Sequence, residues 1–475
     1  MLPVLENYKI YPVVLPKDTE TVMTVVPAGR AFLFFEGAEY KIVVASVNGD
    51  EDFYHDPHGL VRLTATAKDG ILRFPYTFPG EGEHLISLYY GEKKLTDLTV
   101  YSLAEDLYRL RPLKGDFHSH SYRSDGKHDP AEAMSHYREE GYDFYALTDH
   151  NRYYPGGEID EVYAGVEMDF VRVPGEELHT PGSVVHIVHV GGGESITARY
   201  VNDRETYEKE VDEFRPQVPT SVPEQYRDRY ARAMWASDRI RSVGGLAIFA
   251  HPYWRPGGRI YNVNDEFARI LLTSGLFDGY ELIGGMGADG NNRSVALWAE
   301  LRAEAGLKIP VVGSSDVHCM EKADTFPYCF TVCFAEKNES GAIIEAVKEG
   351  RSVAVEAAGK DYSRVDRCYG SLRLVSYAKF LLKRYFPARQ RICQGEGVAM
   401  RAYAMGESPK ELIEVQAKAT EAFRRRFFGE LPPALPTEEM LAFEEKWRAV
   451  QLAGPEMKGS LVWNETGDPK KARQI

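Results

Sequence analysis

Six short motifs in the middle of this 475-residue chain carry side chains that could hold metal ions. Gly115-Asp116-Phe117-His118-Ser119-His120 comes first, followed by Ser124-Asp125-Gly126. Residues two apart in an extended segment point to the same side, so His118 and His120 can grip one ion together, and Asp125 returns on the next loop. Asp316-Val317-His318 repeats that spacing. Between them lie Thr148-Asp149-His150, Gly175-Glu176-Glu177 and Ala250-His251-Pro252. Mixed imidazole and carboxylate donors suit Zn²⁺, Mn²⁺ or Fe rather than Mg²⁺ or Ca²⁺, which prefer all-oxygen shells. Cations of this kind acidify water toward neutral pH and offset charge that builds on a phosphoryl or tetrahedral centre. No GxSxG elbow and no P-loop is present, which removes the commonest rival mechanisms.

Each fragment alone has a plain structural explanation: a buried histidine is usually just hydrogen-bonded, Asp149 could cap a loop, and Glu177 could pair with an arginine. The conjunction is different. Ten of the 13 histidines fall between residues 118 and 318, and each candidate site follows an apolar run that reads as a strand: Phe144 to Leu147, Phe170 to Val173, Leu246 to Ala250 and Pro310 to Gly313. In barrels of parallel strands, catalytic residues come from the carboxyl ends of several strands, so these clusters would converge at one mouth.

The elements around them divide into three regions. Residues 1–112 read as a small antiparallel β-sandwich, with strands predicted at Tyr8 to Leu15, Thr21 to Val26, Ala31 to Phe35, Tyr40 to Val47, Leu60 to Ala67, His84 to Tyr90 and Leu95 to Leu103. His55 and His58 there read as parts of a polar loop. Residues 113–357 alternate strands with helices (Pro130 to Glu140, Pro223 to Val243, Val295 to Ala305, Ser340 to Glu349), which predicts an α/β architecture on a mostly parallel sheet. Residues 358–475 read as a helical region, with helices near 371–386, 395–405, 408–428 and 436–452.

Composition narrows the function classes. The chain is 44% hydrophobic, 27% charged and 12% aromatic, a globular profile. Its formal charge of −14 disfavours general nucleic-acid binding. No run approaches the ~20 apolar residues of a membrane span, and the Met1-Leu2-Pro3-Val4 start has no signal-peptide pattern. Five cysteines without a CxxC read as reduced thiols, and the expected location is cytoplasmic.

The order HxH, SDG, TDH, GEE, AHP, DxH resembles the polymerase and histidinol phosphatase (PHP) family of metallohydrolases over residues 113–357. The resemblance implies a distorted seven-stranded (β/α)7 TIM-like barrel carrying two or three divalent ions, Zn, Mn or Fe, at its mouth. It implies His118, His120, Asp125, His150, Glu177, His251, Asp316 and His318 as ligands, with Glu177 bridging two metals. Glu177, Asp316 and His318 become the expected catalytic residues. A ninth ligand belongs on the strand Val184 to Gly191, where His186 is favoured over His189. His179 suits a pocket role better, and His128 and His136 read as surface residues.

Arg123, Arg152 and Arg255 each stand beside a metal motif and could clamp a phosphate oxygen. The leading expectation is a phosphoesterase acting on a small phosphomonoester or phosphodiester. Hydrolysis of a carbamate, ester or amide is the alternative, which the aromatic residues Tyr153, Tyr154, Tyr253 and Trp254 would suit. A non-catalytic metal-binding module is the third, and the complete donor set weighs against it. Neither a membrane partner nor an oligomeric state is indicated.

Overall fold

The computed structural model describes residues 7–49, 60–153, 155–322, 325–358 and 365–453; His55, His58 and Tyr154 lie outside the described residues. The N-terminal strands are β1 (Tyr8–Tyr11), β2 (Val14–Pro16), β3 (Glu20–Pro27), β4 (Glu39–Ser46), β5 (Val61–Thr66), β6 (Leu72–Thr77), β7 (Gly82–Tyr90) and β8 (Lys93–Leu103). They form two sheets, β1-β3-β6 and β2-β8-β7-β4-β5, around a core that includes Met23, Phe34, Ile42, Phe74 and Ile86.

Local chemistry explains where the predicted strands shift. The Tyr8 to Leu15 run splits around Pro12, and its halves join different sheets. Arg30–Phe32 is a 3₁₀ turn rather than the start of a strand. Strand β6 was hidden by Pro75, which a sheet accommodates at its edge, and β6 is the edge strand of its sheet.

The chain continues through α1 (Glu105–Tyr108), β9 (Arg111–Asp116), α2 (Pro130–Glu139), β10 (Phe144–Leu147), α3 (Pro155–Val162), β11 (Val171–His179), β12 (His186–Gly191), α4 (Thr197–Asn202), α5 (Arg204–Phe214) and α6 (Arg227–Ser242). There follow β13 (Gly245–Phe249), α7 (Asp265–Thr273), β14 (Gly279–Ile283), α8 (Gly287–Ala305), β15 (Val311–Gly313), β16 (Cys329–Ala335), α9 (Ser340–Lys348), β17 (Ser352–Ala358) and β18 (Val365–Tyr369). Helix α2 starts where the sequence says it should: Asp129 accepts from the Ala131 and Glu132 amides, and Pro130 fills the first turn.

Ten strands form one sheet in the order β15-β14-β13-β12-β11-β10-β9-β16-β17-β18. The sheet curls until residues just past β15 lie beside the end of β9. There the Asp316 amide donates to His118 O at 2.9 Å and the His120 amide to Val317 O at 3.0 Å. The expectation of a mostly parallel, alternating sheet needs correction. Strand β12 runs antiparallel to both neighbours, and β16, β17 and β18 add three more antiparallel pairings. The sheet also runs past residue 357, through Tyr369. The connections explain the reversal: β11 reaches β12 through a short turn, and parallel neighbours need a longer crossover.

At the base, α9 packs Ile343, Ile344 and Val347 against Leu113, Val173, Val188 and Ile248. The C-terminal helices are α10 (Leu372–Arg384), α11 (Phe386–Ala404), α12 (Glu411–Phe427) and α13 (Glu438–Ala453). Helix α11 begins nine residues before the predicted 395 and lies along α2, where a β-carbon on Gly397 would fall 2.6 Å from the Ser135 carbonyl oxygen. A buried ion pair, Arg138 to Glu396 at 2.9 Å, crosses that interface. One apolar core joins Val14 and Leu103 of the N-terminal sheets, Phe330 and Val353 of the central sheet, and Tyr377 and Phe427 of the helices. Among the described residues no helix is long and apolar enough to cross a membrane.

Candidate metal centre

Strand ends build the site. His118 and His120 follow β9, His150 follows β10, His251 follows β13, and Asp316 and His318 follow β15. Glu177 sits within β11, and its backbone is tied to the β10 loop by Glu177 N to Thr148 O (3.1 Å) and Asn151 N to Glu177 O (3.0 Å). His186 opens β12. Because that strand is antiparallel, its first residue faces the mouth, opposite His179 in the β11 register.

Six imidazoles surround the Glu177 carboxylate, three on each oxygen. Oε1 lies 2.9 Å from His186 Nδ1, 3.1 Å from His251 Nε2 and 3.4 Å from His179 Nε2. Oε2 lies 2.9 Å from His150 Nδ1, 3.3 Å from His118 Nε2 and 3.4 Å from His120 Nε2. Asp316 Oδ1 is 3.0 Å from His120 Nε2 and 3.3 Å from His118 Nε2. On the solvent side, Asp125 reaches His318 Nε2 at 3.3 Å and His150 Nε2 at 3.4 Å. His118, His120, His251 and Glu177 are buried, whereas His150, His179, His318 and Asp125 are partly open, so the cluster meets solvent on their side.

The charges show what the cluster lacks. Among the described residues, the ion pairs of Glu177, Asp316 and Asp125 are all with histidines, and no lysine or arginine shares them. Burial works against charge on both carboxylates, but the surrounding imidazoles outweigh it and hold Glu177 and Asp316 well below the usual carboxylate range. Burial also opposes charge on His118 and His251. The neighbouring carboxylates prevail, pushing His118 well up and His251 to about 9. At His186 burial wins, and its pKa falls to about 4.

A bound cation fits this arrangement. Donors held about 2.0–2.2 Å from one ion stand roughly 3.0–3.5 Å from each other, the range seen among His118, His120, Glu177 and Asp316. His118 Nε2, His150 Nδ1, His179 Nε2, His186 Nδ1 and Glu177 Oε2 are buried without a hydrogen-bond partner, the signature of atoms that await a ligand. Two further donor groups, His120-Asp125-His150-His318 and His150-Glu177-His179, adjoin the first.

Other residues position the donors. Glu281 on β14 accepts from His118 Nδ1 at 2.8 Å, leaving Nε2 aimed at the cluster. Sequence reasoning missed it: the lone acid inside Gly279-Tyr280-Glu281-Leu282-Ile283 is conspicuous but does not name its partner. Asp149 accepts from Ser121 N (2.8 Å) and Ser121 Oγ (2.7 Å), fixing the loop that carries Asp125. Asp116, pushed up to about 6 by burial, accepts from Tyr137 Oη and from the His118 and Ser315 amides. Asn151, His251 and Asp316 take left-handed backbone angles (φ 51°, 21° and 51°), a strain that clusters at functional sites. A β-carbon on Gly285 would fall 2.3 Å from Asp316 Oδ2.

The remaining sequence candidates divide. His189 points away from the mouth, its Nδ1 3.0 Å from Glu176. His179 belongs beside Glu177, stacked on His186 at 3.7 Å between centroids. His128 is buried rather than on the surface. Arg123 is engaged by Glu158, its Nη2 donating at 2.9 Å. Arg152 and Arg255 are exposed. Tyr253 is buried in the shell, and Tyr153 donates to Gly192 O at 2.8 Å. Trp254 is the aromatic at the mouth, 5.7 Å from the His186 ring.

No protein-family model matches this chain, and no curated protein does. The chain is similar to solved structures described as metal-dependent phosphoesterases and to one described as an amidohydrolase. One is a two-domain protein from Bacteroides vulgatus, described as containing a predicted PHP-like metal-dependent phosphoesterase: 16% identity, TM-score 0.34, covering 56% of this chain and 77% of that one. Another is an amidohydrolase from Chromobacterium violaceum, solved with sulfate and no metal: 17% identity, TM-score 0.30, covering 44% of this chain and 89% of that one. At these scores the likeness carries no functional conclusion, which has to come from the side chains.

Proposed function

We propose that this chain is a PHP-type metal-dependent hydrolase, a phosphoesterase acting on a small phosphomonoester or phosphodiester. The observation that carries the reading is the Glu177 carboxylate with three imidazoles on each oxygen, so that its two oxygens would serve two separate sets of metal donors. His118, His120, Asp125, His150, Glu177, His186, His251, Asp316 and His318 would hold two or three ions, with His179 as an added donor. Divalent cations of the Zn, Mn or Fe class supply a Lewis acid and a hydroxide nucleophile near neutral pH.

The chain's own groups do the rest. Glu281 holds the His118 proton at Nδ1 so that Nε2 stays free. Glu177 and Asp316 remain ionised through the neutral range, because the histidines around them stabilise the anion. His318, half open at the mouth, donates its Nδ1 proton to the Asp316 carbonyl at 2.9 Å, which turns Nε2 toward Asp125 as a donor. Arg255 lines a cavity of about 560 Å³ together with Arg229, Arg259 and Val184, the last of these two residues before His186 in the chain. A phosphorylated ligand at the mouth has guanidinium groups within the same loop system.

Ester or amide hydrolysis is the second reading, and exposed Trp254 beside His186 favours it. A screen of aryl phosphate monoesters, diesters and neutral aryl esters with metal-loaded protein separates the two. Phosphate release supports the first, and turnover of neutral esters alone rejects it.

A further inference from the structure

Another donor cluster lies outside the Glu177 centre. His128 Nε2 stands 3.1 Å from Glu321 Oε2, and Cys319 Sγ stands 3.4 Å from the same oxygen. All three ligand atoms fall within 4.8 Å of one another. On the other edge of the His128 ring, Nδ1 faces Glu132 Oε2 at 3.5 Å, and the Met320 amide donates toward Nε2 at 3.3 Å. Carboxylates therefore stand at both edges of the ring, Glu132 at Nδ1 and Glu321 at Nε2. A cation on Nε2 would take the place of the proton that the ring otherwise shares with Glu321.

We propose that His128, Cys319 and Glu321 form a second, separate site for a thiophilic divalent cation of the zinc class. One imidazole, one thiolate and one carboxylate leave a fourth, solvent-facing position, and the donor separations match bonds of about 2.0–2.3 Å to a shared ion. Its placement gives it a purpose. Asp125 and His128 are three residues apart on one loop, and His318 and Glu321 are three residues apart on another. The first loop therefore sends Asp125 to the Glu177 centre and His128 to this site, and the second sends His318 there and both Cys319 and Glu321 here. An ion here would clip the two loops together. This inference does not depend on the hydrolase reading.

The main centre offers only nitrogen and oxygen donors, so a thiolate signal reports on this site alone. Metal-stripped full-length protein titrated with Co²⁺ is expected to develop a near-ultraviolet thiolate-to-cobalt charge-transfer band that saturates at one equivalent. Cys319→Ser should abolish that band while the visible cobalt bands of the main centre persist. Glu321→Gln should weaken its half-saturation at least tenfold. Absence of the band, or its survival in Cys319→Ser, overturns the proposal. Loss of the visible bands with the ultraviolet band intact would instead count against the Glu177 centre.

Discussion

At the base of the central sheet, where β10 and β11 begin, Asp143 meets the Arg389 guanidinium at 2.6 Å and Asp169 meets Arg111. At the mouth of the same sheet, Glu177 and Asp316 meet imidazoles only. Both ends bury negative charge. The base carries its counter-cations in the covalent chain, on α11 and β9, and needs nothing further. The mouth carries a set of lone pairs whose charge is balanced by protons on histidine or by metal ions. A guanidinium cannot be exchanged, so the base is a structural device; a proton can be replaced by a metal, so the mouth has the chemistry of a binding site.

The largest test of that contrast is Glu177→Gln. With the shared carboxylate gone, phosphate release should fall at least a thousandfold, about 4 kcal/mol of transition-state stabilisation, and metal content should drop with the circular dichroism unchanged. His118→Ala and Asp316→Ala should behave likewise. A variant at the mouth that kept full metal content would break the comparison. At the base, Arg389→Met leaves Asp143 buried without its cation and should cost about 3–5 kcal/mol of stability in urea unfolding, with cobalt affinity of the folded protein unaltered.

Smaller effects sharpen the picture. Glu281→Gln keeps a hydrogen-bond partner for His118 but loses its charge, and should weaken metal affinity roughly 10–100-fold by competition titration. The smallest effect concerns pH. His251 in metal-free protein has its pKa raised to about 9, so it stabilises the fold fully below about 6.5, and that stability is lost as pH rises through about 9. His84, in the N-terminal sheets, pairs with the Ser102 hydroxyl, and burial pushes it down to about 4. It destabilises the fold as pH falls from about 6.5 to about 4, because the unfolded chain takes up the proton first. Thermal melts of metal-free protein should lose stability on the alkaline side, and metal loading should remove that limb. His84→Gln should flatten only the acid limb.

Much of the site could be read from the chain before folding. HxH and DxH place donors on one side of an extended segment whatever surrounds them, and Asp129-Pro130 announces α2 by local capping. The choice between His186 and His189 was equally local in form, since residues three apart face opposite sides, but which side faced the mouth depended on β12 running antiparallel. Glu281 was obscured because one acid in an apolar run reveals nothing about its partner 163 residues away. Arg123 seemed free to reach the mouth until α3 brought Glu158 to it.

The sequence by itself determined the donor chemistry and the spacing within each motif, because these follow from side-chain type and backbone period over a few residues. Only the tertiary structure decided strand direction, the gathering of His179 and His186 on one carboxylate oxygen, the guanidinium pairs at the base and the loops that bring His128 to Cys319. Those choices minimise buried, unpaired charge across the whole chain, and that sum has no local signature.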